Sequence, residues 1–258
     1  MLGEEINKVV VAAKGKVDFL KENSLGYLIS SALAGLYVGL GIMLIFTIGG
    51  LLTESNSQVT KIVMGASFGV ALSLVVFAGA ELFTGNNFVM TVGLVKKSVG
   101  IMDLLKIWLA SFTGNLLGSI LGGYLFVMAG LAKGPVGDFI VKTTSIKMNL
   151  SSNELFARGI LCNILVCLAV WCTFRMKEEV GKLIMIFWCL FVFITAGFEH
   201  SVANMTLMAI GLFTSHPETV TVGGYIYNLF FVTLGNFIGG AVFLALPYCL
   251  ISNKKKEA

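Results

Sequence analysis

Long apolar stretches alternate with short polar segments along almost the whole chain. Each stretch has the roughly 20 or more residues that a helix needs to cross the hydrocarbon core of a bilayer. We therefore predict an all-α membrane protein with six transmembrane helices, and a polar loop over residues 133–153. The predicted spans cover residues 26–53, 61–96, 104–131, 155–174, 183–213 and 225–251.

Two of these spans are longer than one crossing requires, and both contain ionisable side chains. The second carries Glu81, and the fifth carries Glu199 and His200. Such groups are costly inside a membrane, and unwound backbone is tolerated there only when it is buried or lines a cavity. We expect the second and fifth helices to be broken near the middle of the membrane.

The two halves of the chain repeat one order of features. Each half has a span, a broken span and a span with the pattern Gly-Asn-x-x-Gly, at residues 114–118 and 235–239. Because each half has an odd number of spans, the second half crosses the membrane in the opposite orientation to the first. The sequence thus predicts two inverted three-helix repeats, over about 25–132 and 153–252, with a transport site where the breaks meet.

The two ends of the chain differ from the spans. Residues 1–24 are predicted to form an amphipathic arm on the membrane or against the bundle, and residues 253–258 a basic tail. Lysine and arginine concentrate in the segments on the side of both termini, which predicts cytoplasmic termini in a multi-pass protein of the inner membrane. The apolar face of the arm contains Ile6, Val9, Val10, Ala13, Val17 and Leu20.

Composition excludes several classes of function. The chain is 57% hydrophobic and 12% charged, where a soluble domain carries roughly a quarter charged residues. The net charge of +4 reflects the loops, so the expected surroundings are a lipid bilayer and not nucleic acid. The five cysteines lie in apolar stretches without metal-site spacing, and we expect them to pack. HExxH and GxGxxG do not occur, and we predict neither an enzyme nor a metal or cofactor site.

Two polar side chains at the breaks are the candidates for contact with a solute. Helix N-termini exposed at a break attract anions, and a histidine changes its charge near neutral pH. We predict that Thr84 and His200, from opposite breaks, face a pore and orient or protonate a passing small monovalent anion. The alternative is that His200 is a buried donor to a backbone carbonyl.

The carboxylates at the breaks allow two interpretations. Glu81 and Glu199 either line the pore or clamp the broken backbone. Clamping is favoured, because two negative charges would repel an anion from its pore. Pore-lining carboxylates would suit a cation pathway instead.

Large apolar side chains near the breaks suggest constrictions that exclude water. Such a pore favours neutral or weakly hydrated solutes, although ordinary packing is the alternative for each aromatic ring. Hydrogen bonding between helices is one interpretation of three asparagines within the spans: Asn115, Asn163 and Asn236. One interpretation of Lys147 is a solvated charge in a loop. The predicted constrictions are Leu82 and Phe83, with Phe68, Leu72 and Phe193 on the same broken spans.

Two stretches carry a resemblance to a known family. Residues 76–85 (VFAGAELFTG) and 159–169 (GILCNILVCLA) resemble signatures of the formate/nitrite transporter family, and the chain looks most similar to its hydrosulfide channel branch. The resemblance implies a homopentamer in which each protomer has its own pore in an aquaporin-like fold.

The resemblance also implies roles for individual residues. It places Thr84 and His200 at a central site with Asn163 and Asn236 near the histidine, and Lys147 in a vestibule that attracts anions. It implies constrictions at the five apolar residues named above. Members of the family pass formate, nitrite, hydrosulfide, lactate or related ions, often with a proton.

The function expected from the sequence is a passive channel or proton-coupled transporter for hydrosulfide, formate or nitrite. The alternative is a neutral small-solute channel of the aquaporin type, but neither break contains the proline of an Asn-Pro-Ala box. The resemblance further suggests that the arm occludes the inner mouth at low pH. A passive surface anchor is the favoured interpretation of the arm.

Overall fold

The described part of the chain is built from twelve helices and a short π-helical turn. The structure, a computed structural model, describes residues 2–54 and 57–252. The predicted basic tail at 253–258 lies outside the described residues, as does Met1 of the predicted arm. In chain order the elements are α1 (Leu2–Glu22), α2 (Ser24–Glu54), α3 (Thr60–Ser67), α4 (Gly69–Phe77), α5 (Phe83–Val95), α6 (Ile101–Met128), α7 (Gly134–Met148), α8 (Ser152–Arg175), α9 (Glu179–Ala196), α10 (Ser201–Phe213), α11 (Val222–Gly240), the π-helical turn Ala241–Ala245 and α12 (Leu246–Ile251).

Six helical segments among the described residues are long and apolar enough to cross a membrane. Their number and order confirm the prediction of an all-α protein with six spans. The second and fifth segments stop short of the predicted span ends and are each followed by a shorter helix, α5 or α10. The segments are Ser24–Thr53, Thr60–Phe77, Ile101–Met128, Ser152–Arg175, Glu179–Ala196 and Val222–Ile251.

The two short helices α5 and α10 occupy the centre of the bundle. Every residue from 83 to 93 and from 201 to 211 is buried. Each helix follows a non-helical segment, which we call the first loop (residues 78–82) and the second loop (residues 197–200). Gly79 and Gly197 have φ angles of 73° and 78°, a left-handed conformation that glycine adopts without steric cost. The loops therefore end one helix and restart another inside the protein.

The long helices pack in two close pairs, α2 with α6 and α8 with α11. A Cβ atom on Gly118 of α6 would collide with the carbonyl oxygen of Ala32 in α2, and one on Gly239 of α11 with that of Ile160 in α8. Small residues let helix backbones approach closely in membranes. The two pairs form a rigid frame around α5 and α10.

The predicted loop over residues 133–153 was wrong, because residues Gly134–Met148 form α7. Pro135 lies in the first turn, where the missing N–H has no helical partner to lose. The remaining sequence buries one helical face although its composition is polar. That buried face includes Val136, Ile140, Thr144 and Met148, spaced four residues apart.

Helix α1 packs its apolar face on α5. The methyl group of Ala13 faces Gly93 of α5, where a Cβ atom would crowd it at 2.7 Å. Val10 and Leu20, also expected on this face, are partly buried. The arm thus contacts the helix that begins at the first loop. Its buried residues are Ile6, Val9, Ala13 and Val17.

Candidate functional site

The amide side chain of Asn115 on α6 holds the first loop in place. Its Oδ1 accepts from the N–H of Phe83 at 2.9 Å, which satisfies a donor at the start of α5. Its Nδ2 donates to the carbonyls of Ser31 (2.7 Å) and Glu81 (2.9 Å). One fully buried side chain thus joins α2, α6 and the loop.

Asn236 on α11 holds the second loop with the same three bonds. Its Oδ1 accepts from the N–H of Ser201 at 2.9 Å. Its Nδ2 donates to the carbonyls of Gly159 (2.9 Å) and Glu199 (3.0 Å). This side chain was predicted to lie near His200 at the central site, and the structure places it behind the second loop with its hydrogen-bonding capacity committed to backbone.

Glu81 accepts hydrogen bonds from three side chains. Lys16 of α1 lies 2.7 Å from both carboxylate oxygens. The hydroxyl of Tyr27 donates at 3.0 Å and Nδ2 of Asn86 at 3.2 Å. The charge of this carboxylate is therefore balanced by a lysine that reaches the first loop from α1.

Glu199 lies in a matching cluster at the second loop. Lys147 of α7 donates to Oε1 at 2.6 Å, and Nδ2 of Asn204 donates to Oε2 at 2.7 Å. Asn204 also donates to Oδ1 of Asn228 at 2.9 Å, and Asn228 in turn donates to the carbonyl of Lys147. Only 3% of the Glu199 side chain is exposed, against 14% for Glu81.

Thr84 and His200 meet where α5 and α10 begin. Thr84 Oγ1 lies 2.9 Å from His200 Nε2. His200 Nδ1 accepts from the N–H of Ala203 at 3.1 Å and caps α10. Since Nδ1 accepts, the hydrogen-bond network assigns the ring proton to Nε2. Nε2 then donates to Thr84, whose own hydroxyl proton remains available to a third group.

Asn163 and Cys167 of α8 support Thr84 from behind. Asn163 Nδ2 donates to the carbonyl of Thr84 at 3.2 Å and to that of Asn236 at 2.6 Å. The thiol of Cys167 donates to the same Thr84 carbonyl at 3.2 Å. Among the described residues no group pairs with Oδ1 of Asn163. Cys167 is therefore a packing residue that also helps fix the start of α5.

A narrow cavity of about 10 Å³ adjoins the imidazole of His200. A space of this size holds about one water molecule. Four of the five predicted constriction residues line it, whereas Phe83 packs edge-on against Phe112, with ring centroids 5.3 Å apart. His200 is its one polar side chain. The lining consists of Val38, Phe68, Ala71, Leu72, Leu82, Val166, Leu190, Phe193 and His200.

A larger cavity of about 350 Å³, which we call the vestibule, opens on the α7 side of the narrow cavity. Phe193 and His200 border both cavities. Their rings are stacked, with centroids 5.9 Å apart. Lys147 and Glu199 lie in the vestibule wall, so the predicted vestibule lysine faces this space as one half of an ion pair.

The structure adds residues that sequence reasoning left out of the site. Lys16 and Asn86 complete the Glu81 cluster, and Asn204 completes that of Glu199. In both clusters the asparagine follows the glutamate by five positions. This shared spacing was the signal in the sequence that could have identified Asn86 and Asn204. Nothing in the local sequence relates Lys16 to Glu81, which lies 65 positions away.

Comparison with known proteins gives one consistent result. A model of the family described as "Formate/nitrite transporter" matches residues 3–250. The nitrite transporter NirC of Escherichia coli (strain K12) is 45% identical over 249 residues, which cover 96% of this chain and 91% of that protein.

Solved structures agree with this assignment. An "FNT family ion channel" has a TM-score of 0.93 and 41% identity, covering 97% of this chain and 99% of that one. A "pentameric formate channel with formate bound" has a TM-score of 0.78 and 30% identity, covering 91% and 99%. Six apolar spans, the two loops and these matches lead to one conclusion: this multi-pass membrane protein belongs to the formate/nitrite transporter family.

Proposed function

We propose that the protein conducts small monovalent anions across the inner membrane, with formate, nitrite and hydrosulfide as candidate substrates. The observation that carries this proposal is the 2.9 Å contact of Thr84 Oγ1 with His200 Nε2 beside a cavity lined otherwise by apolar side chains. Small anions are also the substrates for which the similar nitrite transporter and formate channel are named.

The charge distribution at this contact favours an anion. Helices α5 and α10 both begin here, so their partially positive N-termini converge on Thr84 and His200. The carboxylates of Glu81 and Glu199 are each paired with a lysine. A passing anion thus meets N–H and O–H donors instead of unpaired negative charge.

The proposed route begins in the vestibule at Lys147, whose charge is partly offset by Glu199. The anion then loses its water at the constriction formed by Phe68, Leu72, Leu82 and Phe193. It accepts a hydrogen bond from the Thr84 hydroxyl while His200 Nε2 donates to Thr84. We assign Phe83 to packing behind this constriction.

His200 determines whether transport is passive or coupled to protons. In the hydrogen-bond network its single proton is on Nε2, and Nδ1 caps α10. The neutral ring orients the anion without giving up a proton. Protonating a passing anion, as predicted from the sequence, requires a second proton on Nδ1 and therefore the loss of the cap bond. We propose that the anion of a weak acid crosses in this way as a nearly neutral species.

We interpret the two loops as breaks in the second and fifth spans of an inverted repeat. The support is the matching set of bonds made by Asn115 and Asn236, and by Glu81 and Glu199. Because Lys16 comes from α1 and Lys147 from α7, we extend each repeat to include its preceding amphipathic helix. The arm then supplies the lysine of the pair that holds the first loop. That the arm also gates the pore is a separate hypothesis.

We infer the assembly and the orientation from the sequence and the relatives together. The similar solved formate channel is described as pentameric, which supports a homopentamer with one pore per protomer. The positive-inside rule supports cytoplasmic termini, and this orientation places the vestibule outside. The aquaporin-type alternative is not favoured, because the relatives reported above are anion transporters and channels.

The test is solute flux into proteoliposomes containing the purified protein. Formate, nitrite, hydrosulfide, chloride and nitrate are compared at an acidic and a neutral pH. If the anion crosses as a nearly neutral species, nitrite passes far faster than nitrate, because nitrate is the anion of a strong acid. Equal rates for nitrite and nitrate at both pH values would contradict the proton-sharing step, and no flux of any anion would contradict the proposal.

Matched variants separate the hydroxyl and the imidazole from the fold. Thr84→Ser keeps a hydroxyl, whereas Thr84→Val removes it at similar volume, so only the second is expected to slow flux strongly. His200→Asn keeps a side chain that can cap α10 but cannot titrate. We expect it to abolish the pH dependence of flux. An unchanged pH profile in His200→Asn would assign proton sharing to another group.

A further inference from the structure

The vestibule is much larger than the solute proposed to cross the pore. Its volume of about 350 Å³ lies in the range of pockets that bind small organic molecules, roughly 300–1,000 Å³. The adjoining narrow cavity of about 10 Å³ cannot admit such a molecule. A ligand that fills the vestibule therefore cannot pass through the narrow cavity and is not transported.

One wall of the vestibule is apolar and partly aromatic. The rings of Phe46 and Phe139 lie with centroids 5.5 Å apart and planes tilted by 39°. Ile42, Met64 and Leu207 extend this surface towards Phe193. A flat apolar group can pack against two neighbouring rings of this kind.

The remaining charges in the vestibule are mostly basic. Lys61, Lys142, Lys147 and Arg158 line the space, and among the described residues of its lining Glu199 is the one carboxylate. Glu199 is already bonded to Lys147 and Asn204. Within the described ranges, 2–54 and 57–252, no ion pair involves Lys61 or Lys142. The net positive charge is therefore available to an anionic ligand.

We infer that the vestibule binds an organic anion with an aromatic body, larger than the transported solute. Its ring lies against Phe46 and Phe139, and its anionic group is paired with Lys142 and Lys61. Because Phe193 and His200 form the boundary with the narrow cavity, the bound molecule closes the pore from the α7 side. The inference that the vestibule binds this ligand depends only on the cavity. The inference that the ligand blocks the pore rests on the proposed function.

The probe is 2-naphthalenesulfonate, which stays ionised at neutral pH and carries a fluorescent ring. Anisotropy of the naphthalene fluorescence measures binding to the purified protein in detergent. Efflux of formate from proteoliposomes of known protein orientation measures block, with the probe added on one side at a time. The uncharged 2-naphthalenemethanol is the control for simple apolar partitioning.

Two variants and two matched controls localise the site. Lys142→Gln and Phe139→Ala each remove one contact with the probe, and we expect each to weaken its affinity by about tenfold. Lys177→Gln and Phe230→Ala change an exposed lysine and an exposed phenylalanine outside the vestibule. Their affinities for the probe are expected to equal that of the unmodified protein.

Each outcome decides one of the two steps. Binding that depends on Lys142 and Phe139, with block only from the α7 side, supports both. Affinity that is equal in all variants overturns the site. Formate flux that continues unchanged with the probe bound, or that is blocked equally from both sides, overturns the closure of the pore. Specific binding to a protein that passes no anion leaves the site standing and contradicts the proposed function instead.

Discussion

The first and second loops are held by the same chemistry but present different side chains to each other. An asparagine from a neighbouring long helix makes three equivalent bonds in each, and a glutamate in each is paired with a lysine from an amphipathic helix. Aligning Glu81 with Glu199 matches Leu82 with His200 and Thr84 with Val202. The polar pair of the site thus takes one member, Thr84, from the first turn of α5 and the other, His200, from the second loop.

This difference distinguishes the residues that hold the loops from the residues of the proposed pore. Residues that recur at equivalent places in both halves hold backbone, as Asn115 and Asn236 do. Residues that differ between the halves, such as Thr84 and His200, break the internal symmetry at the point where a solute would pass. Substitutions in both loops can test this division.

The largest loss of unfolding free energy is expected when the two asparagines are substituted. Asn115→Leu and Asn236→Leu keep the branched shape and the number of side-chain heavy atoms but leave one backbone N–H and two carbonyls without their partner. Each orphaned buried group costs about 1–3 kcal/mol, so the three together should lower the unfolding free energy of each variant by about 3–9 kcal/mol. Unfolding of the purified protein in mixed micelles measures this. A large loss in one variant and almost none in the other would show that the two supports are not equivalent.

A smaller and unequal effect is expected from the glutamates. Glu199→Gln leaves Lys147 unpaired where 17% of its side chain is exposed, and breaking a buried pair costs about 3–5 kcal/mol. Glu81→Gln should cost less, about 1–2 kcal/mol, because solvent reaches this pair more easily. The same unfolding measurement applies. The double variant Glu199→Gln/Lys147→Met removes both charges and should recover much of the lost unfolding free energy. If the double variant were no more stable than Glu199→Gln, an unpaired lysine would not be the cause of the loss.

The smallest effect concerns the cap of α10. His200→Ala removes the acceptor for the N–H of Ala203 and should cost about 1 kcal/mol, whereas His200→Asn restores a capping side chain. At the corresponding place before α5, the N-cap residue Leu82 makes no side-chain cap bond. The difference in unfolding free energy between the two variants measures the cap. Equal stabilities would show that Nδ1 does not support the helix.

The sequence predicted the frame and the position of the loops because both depend on local patterns. Apolar length predicted six spans, and Glu81, Glu199 and His200 marked the interruptions because ionisable groups rarely occur at that depth. The Gly-Asn-x-x-Gly pattern in each half pointed to Asn115 and Asn236. Bonding between helices was the alternative for both residues, and Asn236 was predicted at the central site. In the structure each side chain bonds the backbone of a neighbouring helix and of a loop.

Features that depend on contacts between distant segments could not be predicted in the same way. The pairing of Lys16 with Glu81 crosses 65 positions, and no local pattern encodes it. Helix α7 was missed because its polar composition outweighed the four-residue spacing of its buried side chains. Without α7, Lys147 was placed on a loop, and its pairing with Glu199 was not anticipated.

The narrow cavity beside His200 has a consequence for the energy balance of the cell. A proton crosses a pore rapidly by hopping along a continuous file of water molecules. A space of about 10 Å³ between apolar side chains holds about one water, so such a file cannot form in this conformation. In the proposed pore, the tightness that removes the hydration of a solute would also prevent proton leakage along a file of water.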